Sequence, residues 1–88
     1  MSKAIVDPEE LRRFAVDLKN FNTAVQEQIG VVQRRFNKLG ETWRDQEHEK
    51  FAENFERMIA TMNRFVESSN QHIPVLMRKA QKIQEYLG

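Results

Sequence analysis

The strongest constraint on the fold of this chain is a pair of long apolar repeats at helical spacing, separated by one short break. The first repeat consists of Leu11, Phe14, Leu18, Phe21, Val25, Ile29, Val32, Phe36 and Leu39. The second consists of Phe51, Phe55, Met58, Met62, Phe65, Ser69, His72, Leu76, Ile83 and Leu87, with two polar residues in its middle. Intervals of three and four residues place these side chains on one side of a helix. The break holds the chain's only tryptophan, Trp43, so the pattern predicts two helices folded back at a tryptophan-bearing turn.

Capping signals predict where the two helices begin and end. Asp7 suits the N-cap position and Pro8 the first helical position, where its missing N–H costs nothing. Gly40 follows the last apolar residue of the first repeat and is expected at the C′ position. Asp45 is expected to cap the second helix. The sequence therefore predicts helix 1 over about residues 8–39, a turn over about 40–46 and helix 2 over about 47–87.

Pro74 lies inside the second predicted helix. Proline removes one backbone hydrogen bond and disfavours helical geometry just before it. The helix therefore either kinks near Pro74 or stops and restarts. The apolar columns continue in register on both sides, which favours a kink.

The apolar surface of helix 2 is wider than one helical partner can cover. A second column, formed by Ile59, Val66, Ile73 and Ala80, runs beside the main repeat. At about 25 cal/mol per Å², one seam between two helices barely offsets the entropy lost on ordering 88 residues. We therefore expect an all-α fold in which residues 1–88 form one antiparallel two-helix hairpin that dimerises into an elongated four-helix bundle. The predicted hairpin and dimer seams use Leu18, Phe21, Val25, Val32, Phe36, Phe55, Met58, Ile59, Met62, Phe65, Val66, Ile73 and Leu76.

Composition excludes several classes of function. The net charge is +1, whereas binding to nucleic acid through phosphates needs a clear basic excess. The chain has no cysteine, which excludes disulfides and thiolate metal sites. No apolar run approaches the ~18 residues of a membrane span, so no stable membrane insertion is expected. The first residues do not resemble a cleavable signal peptide. The chain is expected to be cytoplasmic when made, and any secretion must use a route that does not read such a signal.

The two histidines do not form a recognisable metal or catalytic motif. His48-Glu49 begins like the zinc motif His-Glu-x-x-His, but Ala52 occupies the place of the second histidine. His72 is expected to join Ser69 in a polar step inside the bundle that fixes register. No nucleophile–base pair or phosphate-binding loop is present. The sequence therefore predicts a non-enzymatic protein with no cofactor and no metal.

The residues at the turn carry a resemblance to a known family. Trp43-Arg44-Asp45 at the bend, its flanks from Leu39 to Gln46 and the opening segment 6–11 resemble the WXG100 family, the small ESAT-6-like helical hairpins of type VII secretion. The resemblance covers nearly the whole chain. The family's Trp-x-Gly is here Trp-x-Asp. The family's export mark, a tyrosine followed four positions later by an acidic residue, is matched only at Tyr86, which Leu87 and Gly88 follow.

The resemblance implies a secretion substrate, or an adaptor or carrier for one, that acts as a dimer with itself or with a homologous hairpin chain. It also implies a secretion ATPase or a larger secreted cargo as further partners. Trp43, Arg44, Asp45 and Tyr86 form the candidate recognition surface, although Trp43 can equally serve to plug the end of the bundle. The alternative is a structural helical assembly module, a scaffold or tether with no export role, and the incomplete mark after Tyr86 favours it.

Overall fold

The fold is an antiparallel hairpin of two long helices. The computed structural model describes residues 6–88, in which helix α1 spans Pro8–Leu39 and helix α2 spans Gln46–Leu87. The described residues contain no strand and measure 64 × 24 × 17 Å along their principal axes. The predicted all-α two-helix hairpin is confirmed. The prediction about a signal peptide rests partly on residues 1–5, which lie outside the described residues.

The start of α1 follows from its capping residues. Asp7 has extended backbone geometry, and its Oδ1 accepts a hydrogen bond from the Glu9 N–H at 2.9 Å. At the other end, Gly40 does not adopt the left-handed conformation of a C′ glycine that the sequence led us to expect, because its φ is −64° and its ψ −13°. The chain instead stays close to helical through the bend, since Trp43 N–H still donates to Leu39 O at 2.9 Å.

The start of α2 depends on the aspartate that replaces the family's glycine. Asp45 is extended, with φ −95° and ψ −176°, and its Oδ1 accepts from the His48 N–H at 3.0 Å. Helix α2 then continues through Pro74 without interruption. The alternative in which the helix stops and restarts there is therefore wrong.

The seam between the helices repeats every seven residues on both sides. On α1 the buried residues are Pro8, Ala15, Asn22 and Ile29. On α2 they include Ile59, Val66 and Ala80, with Ile73 half-buried in the same column. A seven-residue period keeps two helices in contact along their whole length. Helix α1 therefore covers the second column of α2, and the expectation that this column needs a partner is wrong.

The middle of the seam is polar. Asn22 is 1% exposed, and its Nδ2 donates to Ser69 Oγ and to Asn70 Oδ1, each at 2.9 Å. His72 does not join this layer, contrary to the expectation from the sequence. It is exposed, and its Nδ1 lies 2.8 Å from the Ser68 carbonyl oxygen of its own helix. The partner of Ser69 is thus an asparagine on the other helix.

Candidate interaction surfaces

One broad side of the hairpin carries large apolar side chains in contact with solvent. We call this side the apolar face and define it by Phe14, Leu18, Phe21, Val25, Val32, Phe51, Phe55, Met58, Met62 and Phe65. Phe14, Phe21 and Phe65 are each more than half exposed, and Met58 is 50% exposed. These side chains do not take part in the seven-residue seam, because they lie on columns beside it.

Contacts across the two helices show that the face is continuous. The rings of Phe21 on α1 and Phe65 on α2 meet edge to face at 6.4 Å between centroids. Nearer the turn, Val25 and Val32 of α1 and Met58 and Met62 of α2 line one hollow of about 210 Å³. A contiguous apolar surface of this kind is typical of a site of contact with another molecule.

The opposite side of the hairpin carries more polar side chains. The groove between the helices is lined there by amide side chains, together with parts of Phe36, Phe55 and Ile59; the amides include Gln26, Gln33, Asn37, Asn63 and Gln71. Arg34, Glu56 and Glu67 also line this groove. The chain therefore presents two chemically different sides.

The predicted seam residues fall into two groups. Ile59 and Val66 are buried between the helices, and Leu18, Val25, Phe36, Phe55, Ile73 and Leu76 are half-buried along its edges. Phe21, Val32, Met58, Met62 and Phe65 are exposed. Ile59 and Val66 belong to the hairpin, whereas the exposed group is available for contact with a second chain. The half-buried Leu18, Val25 and Phe55 lie where the seam meets the apolar face.

Trp43 is held in an aromatic cluster at the turn. The tryptophan is half-buried, and its ring meets His48 edge to face at 5.0 Å and Phe51 at 6.3 Å. His48 is stacked on Phe36 of α1, with 5.1 Å between centroids and only 7° between ring planes. The indole therefore packs against α2 and is linked through His48 to the end of α1.

The other members of the predicted recognition surface are distributed over both ends of the hairpin. Arg44 and Asp45 are exposed beside Trp43. Tyr86 is 83% exposed and lies near the end of α2, at the end of the molecule opposite the turn. A single hairpin of this length does not bring Tyr86 to Trp43.

No group of three or more histidine, aspartate or glutamate side chains is arranged to hold a metal ion within residues 6–88. Neither described helix combines the length and the apolar character that crossing a bilayer requires.

Two residues of the interior were missed at the level of sequence. Asn22 does not stand out in the sequence, because the apolar repeat runs from Phe21 to Val25 and does not use position 22. A seven-residue count from Ala15 to Ile29 singles it out, and this is the signal that could have found it. The sequence suggests His48 only as a candidate metal ligand. An aromatic residue three positions before Phe51 at a turn also fits an aromatic cluster, and this is the role that the structure shows.

Comparisons with known proteins agree on one family. The family model described as WXG100, "Proteins of 100 residues with WXG", matches residues 4–86. The chain is also similar to the crystal structure of the secreted protein ESXB from Bacillus anthracis str. Sterne. That similarity has a TM-score of 0.78 and 26% sequence identity, and it covers 100% of both chains. The comparison with curated proteins gives no match.

Proposed function

The chain belongs to the WXG100 family, and from this premise we propose that it is a dimeric, non-enzymatic protein of a type VII-type secretion system. It acts there as an exported substrate or as a carrier for a larger secreted partner. The similar structure is that of a secreted protein, which supports the proposal. The observation that carries the dimer is the apolar face, because no part of residues 6–88 covers it.

The dimer buries the apolar face of one hairpin against the same face of a second. Burial of apolar surface is the main favourable term in association, at about 25 cal/mol per Å². Phe21 and Phe65 meet near the middle of this face and are expected at the centre of the interface. A central, fully desolvated aromatic pair contributes more to association than residues at the rim.

Substitution of one central residue tests the dimer. Phe65→Glu places a charge in the interface, and we expect a monomer in sedimentation velocity at concentrations where the native chain is a dimer. The matched control is Asn63→Glu, which adds the same charge to the same helix but on the polar side. We expect this control to remain a dimer. A native chain that is monomeric and folded at micromolar concentration would contradict the proposal.

The second component of the proposal is the recognition surface. Two hairpins that pack with opposite directions place Trp43 of one chain near the partner's Tyr86. The exposed Tyr86 and the half-buried Trp43, separated within each hairpin, would then form two composite sites at the two ends of the dimer. A secretion ATPase is the partner proposed for this site.

An export assay tests the recognition surface. A tagged chain is produced in a bacterium with a type VII-type system, and its amount in the medium is compared with that of Trp43→Ala and Tyr86→Ala. We expect both variants to accumulate in the cell as folded dimers. Arg13→Ala, at an exposed position on α1 away from the turn, is the control and is expected in the medium. Retention of the native chain in a competent host, alone and with co-produced cargo, would favour a scaffold without an export role.

A further inference from the structure

The turn contains a buried polar atom that the proposed function leaves unexplained. The Nε2 of His48 is buried and has no hydrogen-bond partner among the described residues. An imidazole nitrogen in this situation is costly unless the ring gains something from its position. The ring of His48 gains two aromatic contacts, one with Phe36 and one with Trp43.

The edge of the His48 ring lies close to Gly40. A Cβ added to Gly40 would lie 3.5 Å from His48 Nε2 and 3.8 Å from Cε1, which are ordinary van der Waals distances, and 3.3 Å from the Asn37 carbonyl oxygen. The imidazole is therefore packed against the first residue after α1.

From these contacts we propose that His48 is the positioning residue of Trp43, because its ring, stacked on Phe36, holds the indole at the start of α2. The imidazole stacks on the parallel ring of Phe36, and it also meets the indole of Trp43 edge to face. Its backbone is fixed as well, because its N–H donates to Asp45. The inference rests on the proposed role of Trp43 in recognition and assigns to His48 the orientation of that residue.

The chain is suited to a spectroscopic test, because it contains one tryptophan and two histidines. Tryptophan emission reports only on Trp43. We expect His48→Ala to shift the emission to longer wavelength, because the indole loses the ring that holds it, and we expect His48→Phe, which keeps a ring, to show the emission of the native chain. His72→Ala is the control, since His72 is exposed on α2 far from the turn, and it should also show the native emission.

Two results would overturn the inference. One is an emission spectrum of His48→Ala identical to that of the native chain, and the other is an emission spectrum of folded His48→Phe that matches that of His48→Ala. Circular dichroism and light scattering on each variant separate loss of the hairpin or the dimer from a local change at the turn.

The same variants in the export assay separate this inference from the proposed function. If Trp43 acts in recognition, His48→Ala should be retained in the cell and His48→Phe should be exported. Export of His48→Ala at the native level, while Trp43→Ala is retained, would contradict the positioning role alone. Export of Trp43→Ala would contradict the recognition role and would leave the emission results standing.

Discussion

Asn22 is a buried polar residue that lowers the free energy of unfolding of the hairpin. Its Nδ2 makes two hydrogen bonds across the seam, but its Oδ1 is buried without a partner among the described residues. An unsatisfied buried acceptor costs about 1–3 kcal/mol. A single polar residue in an otherwise apolar seam restricts the register in which two helices can pair, at a cost in stability. Asn22 and Ser69 therefore fix which turn of α1 lies beside which turn of α2.

Replacement of Asn22 by an apolar residue should stabilise the hairpin. We expect Asn22→Val to raise the free energy of unfolding by about 1 kcal/mol, because the unsatisfied oxygen is removed and valine has a similar helix propensity. Ser69 can then bond a carbonyl of its own helix, and the exposed Asn70 can bond water. Urea denaturation at fixed protein concentration measures the change.

The neighbouring exposed asparagine provides the control for this prediction. Asn20→Val, on the same helix, should change the free energy of unfolding by less than about 0.5 kcal/mol. A loss of stability in Asn22→Val, with none in Asn20→Val, would show that the polar layer stabilises the seam.

The residues that could be predicted from sequence are those whose roles are local. Asp45 acts on an N–H three residues away, so its role as a cap was readable from the order of residues alone. Asn22 and Ser69 are 47 positions apart, and their pairing depends on how the two helices are aligned. His48 likewise owes its position to Phe36 of the other helix. Partners that are distant in the chain could not be assigned before the seam was known.

At the level of the helices, the repeats predicted both elements but not their orientation. Each helix has apolar residues on adjacent columns, and the spacing alone does not say which column faces the other helix. Ile59 and Val66 were expected to need a second chain to cover them, yet they are buried against α1. Phe21 and Phe65 were expected in the same seams and are exposed. The polar residues of the seam, above all Asn22, made its true period of seven hard to recognise.

The start of α2 provides a test of the substitution that distinguishes this chain from its family's motif. We expect Asp45→Ala to lower the free energy of unfolding by about 1 kcal/mol, because the His48 N–H loses its acceptor. Asp45→Gly, which restores Trp-x-Gly, should lower the free energy of unfolding less than Asp45→Ala does, since glycine is a tolerated N-cap. Thermal or urea unfolding measures both, and Asp45→Asn is the control that keeps a capping oxygen. Equal losses for alanine and asparagine would contradict the capping role.

On the scale of the whole molecule, the described chain is an elongated body with chemically different sides. Its length of 64 Å is far greater than its thickness of 17 Å, so the broad sides offer most of the surface for contact. The apolar face follows from the pattern of apolar residues, which is why the sequence could predict an assembly. The proposed meeting of Trp43 with Tyr86 of a second chain depends on how two hairpins pack, because these residues lie at opposite ends of one hairpin.

The proposed dimer should depend little on salt. Its interface is formed by phenylalanine, methionine and valine, and the chain has a net charge of +1. Screening by ions weakens association between charged surfaces but not the burial of apolar ones. We expect the dissociation constant, measured by sedimentation equilibrium, to change little between low and high sodium chloride. A dissociation constant that rises steeply with salt would indicate an interface formed by the charged residues instead.

The amide side chains of the groove opposite the apolar face bear on how far the proposed assembly can proceed. In the proposed dimer the two apolar faces cover each other, and each hairpin turns its amide-bearing side outward. We therefore expect assembly to end at two chains rather than to continue into filaments.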